Sequence, residues 1–183
     1  MSSILLKLAS GEQKIIADII AQIMSGKTKE EIWFASFANL NYLKVLLEKF
    51  NANPNVQSKS GWTALMGASG NGHSEIVKLL LENKANPNVQ SKSGWTALMG
   101  ASKNGYSAIV KLLLEAKANP DAQDEYGWTA LIWASEKGHS EIVKLLLEAK
   151  ANPNVQSNAG WTALSLTKNP EIKNLLIRAG AKT

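Results

Sequence analysis

Catalysis requires a nucleophile with a base, a paired acid and base, a metal cluster or a phosphate cradle. The first groups to consider are the two histidines, His73 and His139. They occupy one position of a pattern that recurs every 33 residues, and the copy between them has Tyr106 there. Glu75 and Glu141 recur likewise, with Ala108 between them. A group present twice and replaced once reads as a turn residue in the histidines' case, and as a solvated helix-start charge in the glutamates'. Only Glu136 and Lys137 vary from copy to copy in the way a converging acid and base would. The chain has no cysteine, which excludes disulfides and thiolate metal sites. It also lacks a Gly-x-x-x-x-Gly-Lys-Ser or Gly-x-Gly-x-x-Gly stretch and an EF-hand loop. The expectation is a protein that is not an enzyme, with no catalytic residue, no cofactor and no metal.

Residues suited to binding are easier to find. Trp62, Trp95, Trp128 and Trp161 each follow a repeated glycine, so stacked copies would set them out as a ladder at about the 8–10 Å spacing of packed helices. Two readings stand side by side: each indole packs on its neighbour as architecture, or the row touches a partner. One turn later the copies diverge through Phe34, Gly67, Gly100, Trp133 and Leu166. Glycine inside a helix costs up to about 1 kcal/mol against alanine. Gly67 and Gly100 either mark drift between duplicates or leave a shallow trough walled by Phe34 and Trp133, fit for an apolar side chain or helix of a partner. Beyond the repeated Ala-Ser lie Gly70 and Asn71, then Lys103 and Asn104, then Glu136 and Lys137, on the same helical face. Variable loop tips add Tyr126, which makes the copy from 127 to 159, with Trp128 and Trp133, the richest in anchor-type residues.

The elements that position these residues follow from the repeat, which appears as GWTALMGAS at 61 and 94, GWTALIWAS at 127 and GWTALSLTK at 160. Self-similarity at a fixed period signals an array whose units bury their core only against one another. In the copy from 61 to 93, Thr63 caps a short helix in which Leu65, Ala68 and Ser69 share a face. Asn71 and Gly72 supply a turn with a left-handed residue. In SEIVKLLLE, Ile76, Val77, Leu79, Leu80 and Leu81 form an apolar stripe opposite Glu75, Lys78 and Glu82. Asn86 and Pro87 end that outer helix, and ANPNVQSKS runs on as a polar finger.

A helix pair with a finger, 33 residues long, resembles the ankyrin repeat. The match is carried by Gly61, Thr63, Leu65, Ala68, Gly72, His73, Glu75, Ile76, Val77, Leu79, Leu80, Leu81, Ala85 and Asn88 and their equivalents in later copies. The resemblance implies an all-α solenoid of stacked antiparallel helix pairs with protruding β-turn fingers. It implies a single domain over 1–183: capping helices at 1–27, a degenerate repeat at 28–60, full repeats at 61–93, 94–126 and 127–159, and a shortened capping repeat at 160–183. Ser10-x-x-Gln13 and Thr28-x-x-Glu31 read as capping boxes near the start, and Asn169 with Pro170 as the cap and first position of the last helix. Three departures stand out. Thr-Ala-Leu-Met replaces the usual Thr-Pro-Leu-His, so Met66 and Met99 can only pack. Lys84, Lys117 and Lys150 stand where the outer helix normally closes with glycine, at a cost of about 1 kcal/mol each if left-handed. Only Gly180 keeps the usual residue.

The net charge of +5 and pI near 9.3 raise nucleic acid as a partner. Yet Lys78, Lys111 and Lys144 recur near Glu82, Glu115 and Glu148 as a solvated outer face, with no basic block, so nucleic acid is not expected. No apolar run approaches the roughly 20 residues needed to cross a bilayer, so membrane insertion is not expected either. The absence of cysteine fits a cytoplasmic location, and a monomer is expected; what the resemblance implies is a non-catalytic module that binds an unidentified protein on its concave face. The binding residues would be Trp62, Trp95, Trp128, Trp133, Tyr126, Gly67, Gly100, Lys103, Glu136, Lys137 and Phe34. The competing expectation is a structural or engineered, consensus-like scaffold with no native partner.

Overall fold

The computed structural model describes residues 39–182 together with Lys14, Ile15 and Asp18. The readings made for residues 1–38 (Phe34, the two capping boxes and the opening helices) lie outside the described residues, Lys14, Ile15 and Asp18 apart. Over 39–182 the backbone is helical, with no strand. The inner helices are α2 (Ala64–Gly70), α4 (Ala97–Asn104), α6 (Ala130–Lys137) and α8 (Ala163–Leu166). The outer helices are α1 (Leu40–Phe50), α3 (Ser74–Glu82), α5 (Ser107–Glu115), α7 (Ser140–Glu148) and α9 (Pro170–Arg178). Inner helix stacks on inner helix and outer on outer. The chain is an all-α repeat solenoid.

Local chemistry explains each boundary. Thr63, Thr96 and Thr129 sit in extended backbone and accept from the third amide of the helix, at 3.2, 3.2 and 3.3 Å. Thr162 does the same and forms a reciprocal capping box with Ser165. Asn169 caps α9, with Pro170 at its start. Between inner and outer helices Gly72, Gly105 and Gly138 take φ near +80°, the left-handed turn. Within the pairs, Leu65, Leu98 and Leu131 and the outer Val77, Val110 and Val143 are 1% exposed or less. Met66 and Met99, at 1% and 0% exposure, pack in the core. The outer stripe is narrower than its five apolar residues: Ile76, Val77 and Leu80 are buried, whereas Leu79 and Leu81 are half-buried. On the far side Lys78–Glu82 and Lys144–Glu148 pair at 3.9 and 4.0 Å, exposed pairs worth a few tenths of a kcal/mol at most.

Asn51, Lys84, Lys117 and Lys150 end the outer helices at φ of 48, 66, 66 and 67°. This is the left-handed region that disfavours any side chain with a Cβ. In two of these the carbonyl of the strained lysine is held from the preceding copy. Asn55 donates from Nδ2 to the Lys84 oxygen at 3.3 Å, and Asn88 to the Lys117 oxygen at 3.0 Å. The same amides accept through Oδ1 from the Asn86 and Asn119 backbone N–H at 2.7 and 2.6 Å. One side chain thus bridges two copies in both directions. Asn154 repeats the arrangement onto Gly180 and Lys182. Asp121 occupies this position in the copy between; it accepts from the Asn152 N–H at 2.8 Å, and its carboxylate has no hydrogen to give the Lys150 carbonyl. A second ladder runs along the fingers: Gln57, Gln90 and Gln123 each donate from Nε2 to a glycine carbonyl in their own finger and to the next glutamine's carbonyl. Backbone bonds Lys92 N–H to Ser60 O, Glu125 N–H to Ser93 O and Asn158 N–H to Tyr126 O fasten finger to finger at 2.8–3.0 Å.

Two expectations follow for unfolding in urea. Lys117→Gly should add about 1 kcal/mol by relieving the left-handed strain; an unchanged or lower midpoint would show that the strain is already relaxed. Asp121→Asn should add about 0.5–1 kcal/mol by restoring the missing bond to the Lys150 carbonyl, and a loss of stability would contradict that geometry.

Candidate functional site

The surface formed by fingers and inner helices carries the residues singled out for binding. Its tryptophans are unequally covered. Trp133, at the sixth position of its repeat after the glycine, lies against two of them: its ring centroid is 5.4 Å from Trp95, edge-on, and 4.4 Å from Trp128. All three are half-buried. Trp62 and Trp161, which belong to no such cluster, stay 38% and 48% exposed. The cause lies one copy along. Trp133 covers Trp95, whereas the equivalent residue next to Trp62 is Gly100, which has no side chain to cover anything.

Of the trough expected over Gly67 and Gly100, the part at Gly100 is filled by the same geometry. Gly100 is buried; a Cβ there would lie 3.4 Å from the Gly70 Cα and 3.5 Å from the Trp95 Nε1. The Trp95 indole has folded into the space, so no open floor remains beneath Gly100. Gly67 is half-buried, and the Phe34 wall lies outside the described residues. Helical spacing within one helix places Gly100 correctly on the variable face but carries no information about an indole arriving from the finger.

Two polar side chains complete the aromatic cluster. The Lys103 ammonium stands 4.3 Å from the Trp133 centroid and 5.4 Å from that of Trp95, a cation over aromatic faces worth about 0.5–1 kcal/mol at a partly exposed site. Asp124, 7% exposed, accepts through Oδ1 from the Tyr126 and Trp128 N–H at 3.0 and 2.9 Å, and through Oδ2 from Trp133 Nε1 at 3.1 Å. Serine fills this position in the other fingers, where Ser58, Ser91 and Ser157 accept from the tryptophan N–H four residues on at 3.1 Å, and Ser58 and Ser91 also share a hydroxyl bond with Ser60 and Ser93. The carboxylate reaches where a hydroxyl cannot. Asp124 was not among the residues read as functional, although its signal is visible: the finger that exchanges serine for aspartate belongs with the copy that exchanges glycine for tryptophan.

The remaining candidates are spread out. Tyr126 is 64% exposed at its finger tip. Glu136 and Lys137 pair with each other at 2.9 Å. His139 stacks over Gly105, its Nε2 3.1 Å from the Lys103 carbonyl, and Tyr106 lies over Gly72 in the same way. These aromatic rings serve the turns. A cleft of 530 Å³ at the C-terminal end includes Ser165 and Lys173, but the Ser165 hydroxyl is engaged in both directions with the Thr162 backbone. Among the described residues no three of His, Asp and Glu converge as metal ligands, and no helix is long and apolar enough to cross a membrane.

A family model described as three copies of the ankyrin repeat matches residues 32–124 and again 109–183. The chain belongs to the ankyrin repeat family. No curated protein matches it significantly. Ankyrin repeats generally serve as protein–protein interaction modules, and the family is typically non-catalytic. Within this array the departures from the family phrase are accommodated by packing: Met66, Met99 and Ile132 fill the position of the usual histidine and are buried.

The role of Asp124 can be isolated. Asp124→Ser keeps the finger turn, as Ser91 does, and removes the acceptor of the Trp133 N–H. It should cost about 1–2 kcal/mol in chemical unfolding and far less in a Trp133→Gly background. Equal losses in both backgrounds would mean that the indole bond contributes nothing.

Proposed function

We propose that this ankyrin array is a non-catalytic binding module whose partner is a protein, seated across the fingers and inner helices. The observation that carries this reading is the exposure of Tyr126, Trp62 and Trp161, at 64%, 38% and 48%, on a surface whose fingers are fastened to one another by backbone hydrogen bonds. Exposed aromatic side chains on a pre-fixed surface are the usual anchors of a protein interface, because little conformational freedom is lost when they are covered. Trp95, Trp128 and Trp133 then act as the rigid floor beside these anchors, with Lys103 and the Glu136–Lys137 pair at the edge and Gly67 and Gly100 keeping the inner helices low. Residues 1–183 as one binding domain, the monomeric state and a cytoplasmic site of action belong to the same proposal.

Peptide selection on the immobilised chain tests it. A double variant, Trp62→Ala with Tyr126→Ala, removes exposed rings only and should melt within about 2 °C of the native chain. It should bind the selected peptides at least about thirtyfold more weakly, a loss of roughly 2 kcal/mol. Trp133→Ala is the poorer probe, since that ring is packed on two others and its loss will also lower stability. Selected peptides that bind the double variant undiminished would refute the siting, and a selection that yields none would favour a scaffold without a partner.

A further inference from the structure

The charges of the binding surface are not evenly mixed. At the finger tips the sequence passes from Lys59 and Lys92 to Glu125, and at the ends of the inner helices from Lys103 to Glu136. Both positions reverse sign on entering the copy that carries Trp133. Lys92 and Lys59 occupy matching places on adjoining fingers that are joined through the Lys92 N–H and Ser60 carbonyl at 3.0 Å. Lys103 rises from α4 on the same side, its ammonium resting over Trp95 and Trp133. None of the three has a carboxylate within ion-pair distance among the described residues, unlike Lys78 and Lys144 on the outer helices. Of the acids opposite, Asp124 is buried with both oxygens occupied, Glu136 is paired with Lys137, and Glu125 stands exposed at its own finger tip, beyond the two lysine-tipped fingers.

Resting on the reading of this face as a protein-binding surface, we propose that its occupant is an acidic segment of the partner. Its carboxylates lie over Lys59, Lys92 and Lys103, and an apolar side chain follows against Tyr126. The ammonium of Lys103 is decisive. It is held over two indoles, partly stripped of water and with no carboxylate within ion-pair distance among the described residues, so an incoming carboxylate gains an ion pair without first breaking one. A cationic segment entering the tryptophan cluster would instead have to displace a tethered ammonium and would find Asp124 already saturated. Single-stranded nucleic acid suits the cluster less well. Beside Lys103, Trp95 and Trp133 are turned edge to face on each other, so these two rings do not present parallel faces on which successive bases stack.

The test is fluorescence anisotropy with a labelled peptide in which glutamate alternates with leucine, read against its lysine–leucine counterpart and a single-stranded oligonucleotide. The acidic peptide should bind, and binding should weaken as salt is raised. Lys92→Glu with Lys103→Glu should weaken it at least tenfold. Lys111→Glu with Lys144→Glu, which changes net charge equally on the outer face, should weaken it less than about threefold. Tighter binding of the lysine peptide or of the oligonucleotide would overturn the proposal, as would equal losses from the inner and outer reversals, or no binding of the acidic peptide at all. Trp62→Ala with Tyr126→Ala separates the two levels. If that variant weakens binding while the Lys92 and Lys103 reversal does not, the acidic partner is refuted and the binding face stands; if neither variant changes the affinity, both fall.

Discussion

No single copy of this repeat can bury both faces of its own helices. Leu65, Leu98 and Leu131 reach 1% exposure, and Val77, Val110 and Val143 reach 0%, because a helix from the next copy lies over each. Full burial of such side chains is worth about 1.5–3 kcal/mol apiece. Ordering the backbone costs about 1–2 kcal/mol per residue, so a lone helix pair would not hold. Stacking is therefore the constraint to which every other feature answers. It explains why the small residues Ala64, Ala68 and Ser69 recur on the inner helices, where close approach is needed, and why methionine can take the family's histidine position once that position is sealed.

A stack of apolar layers fixes distance better than register, since Leu and Val side chains are indifferent to small rotations. Register comes from the polar edges. An asparagine amide carries a donor and an acceptor a fixed distance apart, so Asn55 and Asn88 each engage two groups of the following copy and fix its rotation. The carbonyls they hold belong to left-handed lysines. The conformation that costs a lysine about 1 kcal/mol is also what turns its carbonyl back toward the previous copy, so strain and ladder are two sides of one local geometry. Glutamine performs the same service in the fingers, and together the ladders make the finger side a fixed surface.

How much of this was legible from the chain depends on the range of each interaction. Caps at Thr63 and Asn169, the left-handed lysines, the turn at Gly72 and the buried face of Leu65 and Ala68 obey rules that act within about four residues. Such rules can be read from a single sequence. The unequal cover of the tryptophans and the filled space at Gly100 were not legible for one shared reason: Trp95 and Trp133 meet across copies, through a contact that no local spacing encodes. Asp124 was missed because a buried aspartate in a turn looks like a stronger version of the serine it replaces. Only the position of its second oxygen reveals the indole it holds.

Specialisation in a repeat array is confined by the same stacking. The apolar layers that bury one another stay alike, and the finger tips, the sixth residue after the glycine and the end of the inner helix are among the positions that vary. The finger that ends at Tyr126 and the copy from 127 together use all three. A tryptophan placed at the sixth position brings an N–H that must be satisfied and an apolar ring that must be shielded. The first is met by exchanging serine for Asp124, nine residues upstream, and the second by Trp95, Trp128 and the Lys103 stem. The added ring is thus held in one orientation by four contacts. A ring held in this way has lost its freedom during folding and has little left to lose when something settles on it, which makes a large aromatic side chain there more useful for binding than its half-buried state suggests.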